Sequence, residues 1–313
     1  MAEIPSRHLR GAYSRNELHS VGVTESELRG VHWRRAYHGR HQWAHGTADS
    51  PADRILAAFS VLPPQGALGG WAAAYFHGAK HLDGLRWNGD PLPVPFVLPP
   101  RLRVRRRGVV TSRAPLSTAD VVEWDGHLIT RPERTCFDLM RLGSLEDAVV
   151  AADAMLRTRI VEHDTLNNYI ESHRGWHGVR TARKALALAT EHAASCPESR
   201  MRVVWIATAE LPAPLVNVGV RDRTGLLLGV PDLLDEASGL VGEYDGAHHR
   251  TLQNHTADNV REERLEEHNL TVVRATALDL YVRRAGLVTR LRHGYERACA
   301  RDRSRDRWVC DLR

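Results

Sequence analysis

The sequence predicts an α+β protein built from more than one domain, and three observations support this. The chain has 313 residues, beyond the ~250–300 at which single hydrophobic cores stop growing. Its 42% hydrophobic and 26% charged residues suit an ordinary globular protein. The local pattern also changes along the chain, dividing it into residues 1–50, 51–194 and 195–313, with the last boundary at Ser195-Cys196-Pro197.

The same composition excludes several classes. No apolar stretch approaches the ~18 residues of a membrane span, and Met1-Ala-Glu-Ile-Pro-Ser lacks a basic region followed by an apolar one, so the expected location is the cytoplasm. Cys136, Cys196, Cys299 and Cys310 lie far apart, which argues against a zinc site or a disulfide framework. The formal charge of +5 and a pI near 9.3 suit a polyanionic partner. Lysine occurs only at Lys80 and Lys184, so residues 185–313 contain none.

Taken in order, Ser14 with Glu17 and Thr24 with Glu27 have the spacing of capping boxes on two short helices. Trp33 to Trp43 holds a tight turn at Tyr37-His38-Gly39 between two strands. Helix, turn, helix and a basic two-stranded wing describe a winged helix-turn-helix. Arg29 then lies on the second helix, and Arg34, Arg35 and Arg40 lie along the wing, placed for DNA binding. Asp53 to Leu62 and the stretch from Trp71 to Gly78 read as helices.

The middle segment is strand-rich, with Val94–Leu98, Val109–Thr111 and Val121–Trp124, and Asp125-Gly126 is a hairpin signal. The run Arg101–Arg107 reads as a strand that sets alternate arginines, Arg101, Arg103 and Arg105, on one face for phosphate binding. Such charge also discourages edge pairing. Pro132 opens a helix, and residues 145–172 and 178–194 read as alanine-rich amphipathic helices.

From residue 197 the expected order is a helix (Pro197–Glu210), strands Val216–Val220, Leu226–Asp232 and Leu240–Asp245, a charged helix near Thr256–His268, a strand Leu270–Ala275 and a helix Ala277–Ala300. Asp232 ends one strand; Glu243 and Asp245 close the next with period-two spacing, so those two share a face. Three carboxylates together are costly unless a cation neutralises them. Mg²⁺ or Mn²⁺, held by Asp232, Glu243 and Asp245, resolves that cost and suits phosphodiester hydrolysis.

These residues resemble the DUF559 and very-short-patch-repair-like branch of the PD-(D/E)XK nucleases. The resemblance rests on Glu198-Ser-Arg, on Val230-Pro-Asp232, and on Glu243-Tyr-Asp-Gly-Ala-His-His249. Asp258-Asn-Val-Arg261 and Thr271-Val-Val-Arg274 complete it. It implies a restriction-endonuclease-like α/β domain with a mixed sheet. It also implies Glu198, Asp232, Glu243, Asp245 and His249 as catalytic residues, with His248 a lesser candidate. Arg261 and Arg274 would contact phosphate, and Gln253 would orient the charged helix. Asp245 stands where the standard motif has lysine, and the repair-like branch does not require one. Residues of the front half, including Trp71-Ala-Ala-Ala, His77-Gly78 and Thr130-Arg-Pro-Glu-Arg-Thr135, resemble AbiEi-type antitoxins. The expected activity is a metal-dependent DNA endonuclease. The alternative is a non-catalytic DNA-binding regulator, or an antitoxin-like protein with a toxin-like or other protein partner. The oligomeric state is left open.

Overall fold

A computed structural model describes residues 11–44, 49–246 and 263–311. The fold is mixed α/β, with four sheets among the described residues, and no described helix is long and apolar enough to cross a membrane. The chain divides into two compact units. One comprises Met1–Leu139 and Ile160–Trp176, the other Met140–Arg159 and His177–Arg313.

The first unit opens with strand β1 (Ala12–Tyr13) and helices α1 (Arg15–Ser20) and α2 (Glu25–Leu28). Ser14 and Thr24 cap the helices through complete capping boxes, so the backbone N–H groups that open each helix find side-chain acceptors. Strands β2 (Trp33–Tyr37) and β3 (Arg40–Trp43) form the expected hairpin, and the sheet order is β1-β3-β2. Leu18, Val23, Leu28 and Trp33 fill a small core beneath it.

A five-stranded sheet follows in the order β6-β5-β4-β8-β7. It is built from β4 (Ala67–Leu68), β5 (Val94–Leu98), β6 (Val109–Arg113), β7 (Val121–Trp124) and β8 (His127–Thr130). The β7–β8 turn places Asp125 at φ 48° and Gly126 at φ 73°, the two positive values that a two-residue hairpin turn requires. Helices α3 (Pro51–Phe59) and α4 (Gly70–Phe76) cover this sheet with Phe59, Trp71 and Ala72.

Residues 101–107 are a loop between β5 and β6, not the expected strand. Leu102 and Val104 pack on the core while the arginines between them are exposed, so the alternation is that of a strand without a ladder. Pro99-Pro100 supply no N–H groups where the ladder would continue.

In the second unit the helix Leu145–Arg157 packs against the helix Cys196–Val203. Buried Asp153 accepts a hydrogen bond from Arg202 at 2.7 Å, and Glu146 pairs with Arg200 and Arg284. The long helix expected over 145–172 stops at Arg157, two residues before Arg159 enters the left-handed region at φ 55°. Its second part is His163–Ser172, in the first unit.

Four strands form one sheet in the order β14-β13-β12-β9: β9 (Leu215–Val216), β12 (Leu233–Asp235), β13 (Leu240–Asp245) and β14 (Thr271–Thr276). Strands β10 (Val220–Asp222), β11 (Leu227–Gly229) and β15 (Trp308–Cys310) form a second, ordered β11-β10-β15. The expected strand Val216–Val220 is thus divided where the chain changes sheets, and Leu226–Asp232 shortens to β11, leaving Asp232 in a bend before β12 and not at a strand end. Asn217 at φ 50° ends β9, and Pro231 interrupts the ladder between β11 and β12 because it has no N–H. The last expected helix is likewise two, Ala277–Tyr281 and Arg284–Cys299.

Candidate functional site

Strand β13 pairs antiparallel with β12 and parallel with β14, so it lies inside its sheet, and the alternation of its side chains sorts two faces. Leu240 and Tyr244 pack with Met201, Trp205, Leu287 and Leu291 on one face. Val241 joins Leu234, Leu265 and Leu270 on the other. Glu243 and Asp245 share the parity of Val241, as their period-two spacing predicts. Arg274 has the parity of Val272, which also packs on the second face. One face of the sheet therefore presents Glu243, Asp245 and Arg274.

The β12–β13 ladder ends at Leu233 opposite Gly242, so Asp232 lies one residue before β12. The Tyr244 backbone N–H donates to Asp232 Oδ2 at 2.7 Å, fixing that carboxylate across the strand end. Glu243 is 8% exposed, and its in-register neighbour on β14 is Arg274. Asp245 is partly buried opposite Thr276.

Glu198 comes from the first turn of the helix Cys196–Val203, which Ser195 caps and where negative charge is favoured. Its Oε2 accepts hydrogen bonds from the Ala194 N–H at 2.9 Å and from Asn217 Nδ2 at 3.0 Å. Asn217 also donates its backbone N–H to the Asp232 carbonyl at 3.2 Å. Asn217 thus bridges Glu198 to Asp232, a role that the sequence reading missed. The available signal was an asparagine inside an apolar stretch, a residue type that tolerates the left-handed conformation.

Gly242 permits the approach of the covering helix, since a Cβ there would lie 2.9 Å from Met201 Cε and 3.1 Å from the Trp205 ring. Burial raises the pKa of Tyr244, with Tyr281 and Asp245 adding to the effect, so its phenol stays neutral on the apolar face.

Among the described residues, no group of three or more His, Cys, Asp or Glu is arranged to hold a metal ion. The donor chemistry is nevertheless that of a hard cation, because Asp232 and Glu243 offer oxygen alone. Mg²⁺ commonly takes one or two carboxylates and keeps several waters, so the chemistry of these two acids fits it. His248, His249, Gln253, Asp258 and Arg261 lie outside the described residues.

The arginines of the front half divide sharply. Arg34 pairs with Asp49, and Arg40 with Glu17 at 2.8 Å. Arg35 contacts the ring of His38, and Arg29 is exposed at the end of α2. Arg101, Arg103 and Arg105 are exposed on the β5–β6 loop.

No protein-family model matches the chain, and no curated protein or solved structure matches it either.

Proposed function

We propose that residues 195–313 form a metal-dependent DNA endonuclease of the DUF559-like, PD-(D/E)XK type, with the front half positioning it on DNA. The observation behind this reading is that the Tyr244 N–H holds the Asp232 carboxylate at the end of β13, the strand on which Glu243 pairs with Arg274. Asp232 and Glu243 would hold Mg²⁺ or Mn²⁺. The ion, when bound, supplies charge stabilisation to a phosphodiester and activates water.

The chain's own residues do the rest. The Tyr244 N–H orients the Asp232 carboxylate, and Asn217 holds Glu198 at the strand end. Arg274 contributes positive charge beside the acids, suited to a phosphate oxygen. His249 is assigned as a proton acceptor through the resemblance alone.

Incubating purified protein with supercoiled plasmid tests this reading. Nicked or linear product should form with Mg²⁺ or Mn²⁺ and not with chelator.

One observation favours a second reading, a non-catalytic DNA-binding regulator. Asp245 stands where the motif has lysine, and residues 185–313 contain no lysine. That protein would bind DNA equally with chelator and would leave the plasmid supercoiled.

A further inference from the structure

The first unit contains a cleft of about 1060 Å³ between the tip of the β2–β3 hairpin and the arginine loop that joins β5 to β6. Arg35, Tyr37 and His38 line one side, and Arg105, Arg106 and Arg107 line the other. The two sides approach each other at their base, where a Cβ on Gly108 would sit 3.7 Å from Tyr37 Cε1. Leu102 and Val104 anchor the loop on the core. The single acid in the lining, Asp49, is paired with Arg34. Among the described residues, the side chains of Arg105, Arg106 and Arg107 make no ion pair or hydrogen bond, whereas Arg34, Arg40, Arg134, Arg200 and Arg202 all do. Neighbouring guanidiniums repel one another, and an anionic chain relieves that repulsion.

Helix α2 offers the opposite chemistry. It has four residues. Thr24 and Glu27 are consumed by the capping box, and Leu28 is buried. Glu25 lies 3.3 Å from His19 and 3.6 Å from Arg15. That leaves Ser26 and Arg29 to meet base edges, and the two glutamates oppose an approach to phosphates.

We infer that the first unit holds the backbone phosphates of DNA in this cleft, and that α2 does not read a groove. This rests on the protein acting on DNA, not on its cutting it.

The test uses the full chain with chelator present and a fluorescein-labelled single strand or its duplex. R105A/R106A/R107A should weaken binding at least ~10-fold and reduce the slope of log affinity against log salt by about two to three. The α2 variant S26A/R29A should stay within about twofold of wild type. A triple variant that binds within about twofold, or an α2 variant that loses tenfold, overturns the inference. A second measurement on the wild-type protein guards against misfolding of the variants. A strand carrying 5-iodouracil should crosslink to the peptides holding Tyr37 and His38 or Arg105–Arg107. Crosslinks confined to Thr24–Arg29 overturn the inference. DNA held in this cleft by a protein that never cuts plasmid would leave the cleft standing and remove only the nuclease reading.

Discussion

Asn217 shows how one side chain can set a site. Its φ of 50° ends β9, and its amide bonds to Glu198 while its N–H reaches the Asp232 carbonyl. Asn217→Ala should lose about 1–2 kcal/mol through the strained backbone and the lost hydrogen bond. Asn217→Gly tolerates the conformation and should recover part of that stability. Both variants should cut plasmid about tenfold more slowly, with the loss in kcat and not in KM. Thermal melts and plasmid kinetics separate the two effects. Asp120 in the first unit makes a pH prediction. Burial pushes its pKa up, but hydrogen bonds from Tyr169 and Ser117, with the charge of Arg134, outweigh this and hold it at about 2 against an ordinary 3.8. A carboxylate with a lowered folded pKa stabilises the fold above the unfolded value and loses that contribution as pH falls. The stability from Asp120, of order 2 kcal/mol, should therefore be complete above about pH 4 and vanish towards pH 2. Tyr169→Phe should shrink that acid-dependent term, as urea melts across the range would show.

At the scale of elements, legibility followed hydrogen-bonding continuity. Strand β13 was readable because Leu240 to Asp245 is a short apolar run that ends in acids whose spacing fixes their face. The capping boxes at Ser14 and Thr24 were equally direct, since they are local. Strands β9 to β12 were not, because a change of sheet at Asn217 and Pro231 is a long-range event inside apolar segments that read as single strands. The arginine loop misled for a related reason: Leu102 and Val104 alternate as in a strand, but their backbone has no partner ladder. Of the candidate site, Asp232, Glu243 and Arg274 were visible as residue types at expected strand ends. The pairing of Glu243 with Arg274 depended on register, and the bridge through Asn217 depended on folding. The same packing makes Gly242 a test of the sheet's cover. Gly242→Ala would press a methyl group into Met201 and Trp205, and overpacking of this kind costs about 1–3 kcal/mol. A denaturant midpoint unchanged from wild type would contradict that packing.

Across the whole molecule, each unit has its own core and its own charge logic. The first is organised around a buried cation: Arg134 donates to Asp138 at 2.8 Å, lies 3.3 Å from Asp120 and sits under the ring of Trp176. It presents a basic cleft towards solvent. The second draws the helix Leu145–Arg157 to its sheet-covering helix through Asp153 and Arg202, a pairing across 49 positions that no local pattern announces. At the end of its strand β13 the Tyr244 N–H holds the Asp232 carboxylate, one residue beyond Glu243. In the proposed endonuclease these two carboxylates act together on DNA with a divalent cation. The most direct measurement is plasmid cleavage by wild type, Asp232→Asn and Glu243→Gln, with Mn²⁺ or Mg²⁺ and with chelator. The Asp232→Asn variant keeps an oxygen acceptor for the Tyr244 N–H, so the strand end should remain intact. Cleavage should occur only with metal and fall at least ~100-fold in both variants, while DNA binding in chelator stays unchanged. A wild-type protein that leaves the plasmid intact with either metal, or variants that cut as fast as wild type, would contradict the claim.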